Sequence, residues 1–205
     1  DAATLGPKKI VGNLEVDGSI INASGALTND TVIDADLSIT ECIQLPAQSA
    51  KITGDRVTDG DASQGAQIDA GEGGWRLLFD DGSAADEAAV WQFELPEYWS
   101  AHGSLRIHYS MVSATTNEVE FEAAVDCKSD GDAVATVDFA AIAVDSETVP
   151  GTAGQRDEIS ITLTDDSCAA KDTIFIYVST DADDLTADDA TGDREVHDVT
   201  YCFNH

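Results

Sequence analysis

The sequence has 205 residues, with 40 Asp and Glu against 10 Lys and Arg, and a formal net charge of -30 at pH 7. Such a charge repels nucleic-acid phosphates, and no apolar run approaches the roughly 18 residues of a membrane span. Because the acids alternate with apolar residues, we do not expect a disordered acidic tail. Molar salt shortens the Debye length to about 3 Å and screens the self-repulsion. The composition therefore predicts a secreted or particle-surface protein of a high-salt environment.

Residues 1–70 contain no Trp, Tyr or Phe and consist of short apolar pieces between Gly, Asn and Asp. Strands this short, with few large side chains, do not close a core within one chain. We therefore predict a stem in which three copies wind together for trimerisation and attachment. The alternative is an ordinary hairpin that adds strands to the following domain. Residues 54–74 are typical of a linker or long loop, and the absence of an initial Met suggests proteolytic maturation or trimming.

Residues 71–205, the predicted head domain, carry every aromatic residue and show a period of two between apolar and polar positions. In residues 105–111, for example, every odd position is apolar. This pattern predicts eight strands, at residues 75–79, 88–95, 105–111, 119–125, 133–142, 159–163, 173–178 and 196–203. The dense apolar run at 173–178 is typical of a central strand. The spacing predicts an all-β antiparallel sandwich with the jelly-roll topology.

Two short motifs resemble viral surface proteins. Residues 12–20, GNLEVDGSI, resemble the G-N-L-x-V-x-G-x-I/L pattern in the shafts of trimeric viral fibres and spikes. Residues 91–99, WQFELPEYW, followed by the strand at 105–109, resemble the opening of jelly-roll domains in tail, fibre and spike proteins of tailed viruses. The resemblance implies a homotrimeric virion surface protein, as a capsid turret, spike or tail fibre, of a virus that infects a halophilic archaeon or bacterium.

This resemblance implies binding and particle assembly rather than catalysis, so we predict that the protein is not an enzyme. The expected partners are other virion proteins and a host cell-surface glycan or S-layer. A carbohydrate-binding or cell-surface module of a halophile is the alternative. A polysaccharide-degrading enzyme ranks third, because forty carboxylates supply any acid pair without singling one out. We predict no catalytic residue, and place His108 and His197 at outward strand positions.

The four cysteines are Cys42, Cys127, Cys168 and Cys202, and none belongs to a C-x-x-C or a Cys/His cluster, so we do not expect zinc. An even number in an extracellular protein suggests disulfides. Cys127 ends one predicted strand and Cys168 precedes another, so we expect that pair first. Cys42 and Cys202 would then tie the N-terminal segment to the last strand. Small buried thiols are the alternative.

Acidic turns offer candidate ligands for Ca²⁺ or another structural cation. Asp126, Asp130 and Asp132 surround Gly131 and could supply several oxygens from one loop. Two further loops have similar composition, at residues 55–61 and 181–189. Neither these loops nor the first has the full EF-hand pattern, so ordinary acidic turns of a halophilic protein are the alternative.

Exposed aromatic residues are candidate platforms for a glycan. Trp75, Trp91 and Trp99 are the tryptophans, and Trp91 is expected in the core because it alternates with other apolar residues. Tyr98 and Trp99 follow Pro96 in a predicted turn. We predict that these two side chains form an interface or ligand platform, with subunit contact ranked above sugar contact.

Overall fold

The computed structural model describes residues 39–52, 64–71, 74–81, 87–133, 137–139, 141–164, 167–180 and 188–205. Within these ranges the chain forms one short 3-10 helix, Ala47–Ser49, and twelve strands. In chain order the strands are β1 Thr40–Leu45, β2 Lys51–Ile52, β3 Gln64–Gly65, β4 Gln67–Gly71, β5 Gly74–Phe79, β6 Glu87–Glu94, β7 Ala101–Met111, β8 Glu118–Lys128, β9 Ala143–Thr148, β10 Asp157–Thr162, β11 Thr173–Thr180 and β12 Arg194–Asn204.

The strands form two six-stranded sheets. The front sheet has the order β10-β7-β12-β5-β4, and β1 also pairs with β12. The back sheet has the order β2-β6-β11-β8-β9, and β3 pairs with β6. From β5 to β12 the chain changes sheet at every step except β8 to β9, which gives the neighbour orders β5-β12-β7-β10 and β6-β11-β8-β9. This is an eight-stranded jelly roll, so the predicted fold class is confirmed.

Seven of the eight predicted strands overlap β5, β6, β7, β8, β10, β11 and β12. The exception is the prediction at 133–142, whose described residues are not in a strand, while β9 pairs with β8 instead. Phe139 of this segment is buried against Tyr177 on the outer face of the back sheet, with ring centroids 5.1 Å apart. The apolar residues of the segment therefore cover a sheet face, and the polar β9 forms the sheet edge, where charged side chains are common.

The main core lies between the two sheets and follows the period of two. The apolar side chains that alternate along β7, β8, β11 and β12 meet there, namely Leu105, Ile107, Tyr109, Met111, Val119, Phe121, Val125, Ile174, Ile176, Val178, Val199, Tyr201 and Phe203. β11 lies between β6 and β8, as its apolar run predicts. Its other face is buried too, because Phe175 and Tyr177 pack under Phe139 in a second cluster.

The boundary predicted at residue 70 differs from the structure. The chain divides into residues 1–38 and 39–205. The described part of the predicted stem supplies β1 to β4, which pair with β12, β6 and β5. These short strands need no core of their own, because they extend sheets whose core the larger strands already form. Residues 40–52 and 64–71 therefore follow the alternative, in which strands are added to the following domain. Residues 1–38 and 53–63 lie outside the described residues.

Two disulfides join the chain. Cys42 is bonded to Cys202, directly opposite it in the pairing of β1 with β12. Cys127 at the end of β8 is bonded to Cys168 in the segment before β11. These are the two pairs that the sequence analysis favoured, and none of the four cysteines is a free thiol.

Candidate ligand-binding cleft

A cleft opens on the front sheet where β12 changes partners. β5 pairs with β12 along Arg194–Val196, and β1 pairs with it from Val199 onward. His197 and Asp198 lie between these two pairings, and the register of β12 against β7 shifts at the same place. The cleft has a volume of about 340 Å³, at the small end of the range for ligand sites. It is lined by Gly74, Trp75, Arg76, Arg156, His197 and Asp198.

Trp75 supplies the apolar surface of the cleft. It lies at the start of β5, before the residues that pair with β12, and its backbone pairs with Ala70 of β4. Its exposed fraction is 53%, so about half of the side chain is open to solvent. Gly74, which precedes it, has a φ of 120°, in the region that favours glycine. The strand thus turns into the hairpin with β4 beside an exposed indole.

Arg76 is fixed on the outer face of the sheet by two carboxylates. Its Nε and Nη2 donate to Asp69 Oδ2 at 3.0 and 2.8 Å, and its Nη1 lies 2.8 Å from Glu195 Oε1. The hydrogen bond to Asp69, with a further contribution from Glu195, raises the pKa of Arg76. This cation is therefore both oriented and neutralised by groups of the protein.

Asp198 is held from two sides. Arg156 Nη2 donates to Asp198 Oδ2 at 2.9 Å, and His108 Nδ1 lies 2.7 Å from Asp198 Oδ1. The other ring nitrogen of His108 lies 2.6 Å from Glu158 Oε2. Each ring nitrogen of His108 therefore lies within hydrogen-bond distance of one carboxylate. The carboxylate that lines the cleft is thus positioned before any ligand arrives.

His197 adds a ring that favours the uncharged state. Its Nε2 lies 2.8 Å from Ser110 Oγ. Burial lowers the pKa of His197, against a smaller opposing influence from the Glu195 carboxylate. His108 and His197 both lie half-buried on the outer face of the front sheet, in agreement with their predicted outward positions.

The structure separates the two residues predicted as a platform. Trp99 is buried, and its Nε1 donates to Tyr201 Oη at 2.9 Å. The prediction for Trp99 is therefore wrong, because its indole fills the core at the end of the sandwich. Tyr98 is 53% exposed, and its Oη donates to Glu41 Oε2 at 2.9 Å. Its ring also contacts His205, with centroids 4.8 Å apart.

The three predicted calcium ligands do not come together. Asp126 is buried and paired with Lys128, with Nζ 2.8 Å from Oδ2, and it also accepts the backbone N–H of Asp138 at 3.0 Å. Asp132 Oδ2 accepts the backbone N–H of Ser129, which closes the acidic turn, and Asp130 is exposed. These carboxylates stabilise the local chain with N–H donors. The loops at 55–61 and 181–187 lie outside the described residues.

Across the described ranges, one group of three metal-ligating side chains has its ligand atoms within 4.8 Å of one another: His102, Cys127 and Cys168. His102 Nε2 lies 3.2 Å from Cys168 Sγ, and its Nδ1 lies 2.7 Å from Tyr201 Oη. Because the two cysteines form a disulfide, their sulfurs are not thiolate ligands, and we assign no metal to this group.

Of the residues that line the cleft, Trp75 is a candidate platform from the sequence, and His197 is expected only as an outward histidine. The sequence does not single out Arg76, Arg156 and Asp198, which become neighbours only through the pairing of β12 with β5 and β7. One signal was present, since the chain has few basic residues and only five of them are arginines. Three of these arginines, Arg76, Arg156 and Arg194, are each paired with a carboxylate in the structure.

In the described part of the chain, no helix has the length and apolar character needed to cross a bilayer.

No protein-family model matches the chain, and no curated protein matches it. Among solved structures, the isomalto-dextranase of Arthrobacter globiformis T6, complexed with panose, is 13% identical with a TM-score of 0.44, and the match covers 78% of this chain but 23% of that one. The CBM6-3 module from Clostridium stercorarium, in complex with cellobiose, is 13% identical with a TM-score of 0.40, covering 78% and 92% of the two chains.

A family 11 carbohydrate-binding module from Clostridium thermocellum, in complex with a mixed-linked tetrasaccharide, is 13% identical with a TM-score of 0.39, covering 82% of this chain and 91% of that one. This chain spans about a quarter of the isomalto-dextranase and most of each binding module. At these identities and TM-scores the similarity carries no argument about function, which we therefore derive from the cleft alone.

Proposed function

We propose that this chain is a carbohydrate-binding domain of an extracellular protein and that its ligand occupies the cleft beside Trp75. The observation that carries the proposal is a half-exposed indole next to fixed hydrogen-bonding groups. A pyranose has an apolar C–H face and a rim of hydroxyls. An indole offers a broad, rigid surface for the face, and guanidinium and carboxylate groups supply donors and acceptors for the rim.

The charged groups of the cleft fit binding better than hydrolysis. Glycoside hydrolysis uses one carboxyl group as a proton donor and a second as base or nucleophile. Asp198, the carboxylate that lines the cleft, is paired with Arg156 and His108. Among the described residues that line the cleft, Asp198 is the one carboxylate, so the second member of an acid pair is missing from the lining. We therefore propose binding without covalent chemistry at this site.

The extracellular setting is supported by two features that do not depend on the cleft. Two disulfides join the chain, and disulfides persist in oxidising compartments. The formal charge of -30 suits a hydrated surface in concentrated salt. A place on a virion, a halophilic host and a trimeric stem remain predictions from the sequence, and the motif at residues 12–20 lies outside the described residues.

The proposal is tested by replacing Trp75 with alanine and measuring oligosaccharide binding by titration calorimetry in molar KCl. We expect the Trp75→Ala variant to lose at least about tenfold in affinity, since burial of an aromatic ring dominates such sites. Tyr98→Ala is the matched control, because both aromatic rings are 53% exposed and Tyr98 lies outside the cleft. Absence of binding across a broad glycan panel, or equal affinity in the Trp75→Ala variant, would contradict the proposal.

A further inference from the structure

We infer that the cleft selects neutral sugars with two adjacent hydroxyls and rejects uronic acids. This inference rests on the proposed function and adds the chemical class of the ligand. It depends on how the charged groups of the cleft are already paired.

Both arginines of the cleft already have carboxylate partners. Arg76 lies between Asp69 and Glu195, and Arg156 is paired with Asp198. Two guanidiniums and the His108 ring thus face four carboxylates, those of Asp69, Glu158, Glu195 and Asp198, which leaves an excess of negative charge around the cleft. The carboxylate of a uronic acid would find no uncompensated cation and would have to displace one of these partners, within a chain whose net charge is -30.

The Arg156–Asp198 pair suits hydroxyls without being broken. A hydroxyl both donates and accepts, so one hydroxyl can donate to Asp198 while its neighbour accepts from Arg156. The Arg156 side chain is 57% exposed, which leaves N–H groups within reach of a ligand. His108 holds Asp198 from the opposite side at 2.7 Å. Since the acceptor is already oriented, a neutral sugar does not have to order it on binding.

Arg76 does not offer an equivalent anchor for an anion. Its Nε and both terminal nitrogens are occupied by Asp69 and Glu195. An anionic sugar that displaced Asp69 or Glu195 from Arg76 would leave that carboxylate without its cation on a half-buried sheet surface. The displacement would only exchange one anion for another. We therefore expect anionic sugars to be rejected at Arg76 as well as at Arg156.

The experiment compares oligosaccharides that differ only at C6, such as gluco- and glucurono- or galacto- and galacturono-oligosaccharides of equal length. Calorimetry is carried out in molar KCl and at the lowest salt in which circular dichroism shows the folded chain. We expect neutral ligands to bind at least about tenfold more tightly than their uronate counterparts. The difference in affinity between neutral and uronate ligands should increase as the salt concentration is lowered, because the repulsion between carboxylates is then screened less.

Two variants separate selection from simple binding. Arg156→Gln should weaken neutral ligands, since it replaces the charged guanidinium donor by a shorter, uncharged amide. Asp198→Asn keeps an acceptor oxygen but releases Arg156 from its carboxylate, and should therefore raise the affinity ratio of uronate to neutral ligand by about tenfold. A merely structural role for Asp198 would change both ligands alike.

The outcomes distinguish the inference from the proposed function. Uronates that bind the unaltered protein more tightly, with the preference lost in Arg156→Gln, would overturn the inference and leave a sugar site in place. An unchanged ratio in a folded Asp198→Asn variant would also overturn it. If neither ligand series binds, the proposed function itself fails.

Discussion

A buried ion pair at the start of β12 offers the sharpest test of what stabilises this fold. The side chains of Arg194 and Asp188 both have no exposed surface, and Arg194 Nη2 donates to Asp188 Oδ2. The second terminal nitrogen of Arg194 lies 3.6 Å from the partly exposed Asp81. Burial raises the pKa of Asp188, and the hydrogen bond from Arg194 partly opposes this. The two charges are thus tolerated in the interior because each has the other.

The perturbation is Asp188→Asn, which keeps the side-chain volume and removes the charge. The guanidinium is then left in the interior with the partly exposed Asp81, 3.6 Å from its Nη1, as its remaining carboxylate partner. Breaking a buried pair from one side costs about 3–5 kcal/mol. That is a large part of the 5 to 15 kcal/mol that is typical of a whole domain. We expect the free energy of unfolding to fall by this amount.

The assay is urea unfolding in molar KCl, followed by circular dichroism, with Glu97→Gln as the control. Glu97 pairs with Lys171 at 2.9 Å, but both side chains are largely exposed. Exposed pairs contribute at most about 1 kcal/mol, and molar salt screens them further while leaving buried pairs intact. The double variant Asp188→Leu with Arg194→Met should recover much of the loss. A cost for Asp188→Asn no larger than that of Glu97→Gln would refute the reasoning.

Two further predictions concern pH and the disulfides. Burial holds the pKa of His197 in the folded state below its usual 6.5, so the unfolded chain binds the proton more readily and the free energy of unfolding falls as pH drops below that value. The His197→Gln variant should lose less stability as the pH is lowered below 6.5. If urea unfolding gives the same pH dependence for the variant and the unaltered protein, His197 is not the cause. Disulfides Cys42–Cys202 and Cys127–Cys168 close loops of 160 and 41 residues, which predicts losses of about 5 and 4 kcal/mol when each pair is replaced by alanines. A clearly larger loss for the shorter loop would show that loop length does not govern the difference.

The architecture was predictable because apolar and polar residues alternate along the long strands. The pattern at Leu105–Met111 predicts one buried face, and in β7 its odd-numbered residues are buried while Arg106 is exposed. The apolar segment around Phe139 misled the prediction, since a buried aromatic residue fits a strand and a covering loop equally well. The short strands β1 to β4 were mistaken for a stem for a related reason. Because these strands have few large side chains, they cannot form a core alone. The same composition does not reveal that they can pair with the edge of an existing sheet.

The cleft was only partly predictable. Trp75 was a candidate from its residue type alone, but nothing in the local sequence distinguishes it from Trp99, and the structure exposes one and buries the other. Arg76 and Asp198 are more than a hundred residues apart, so their proximity depends on the order of strands in the front sheet. With forty acidic residues in the chain, the composition gives no reason to choose Asp198 among them. What singles it out is its pairing with Arg156 and His108.

The position of β12 also has a consequence for the order of folding. It follows β1 to β11 in the chain, yet it lies inside the front sheet, with β7 on one side and β5 and β1 on the other. During synthesis β8 can pair early with β9, whereas β6 and β8 are joined only through β11, and β1, β5 and β7 only through β12. Contacts this distant in sequence form slowly. We expect the nascent chain to expose incomplete sheets until β11 and β12 have left the ribosome, so that chaperone dependence and aggregation are concentrated in that interval.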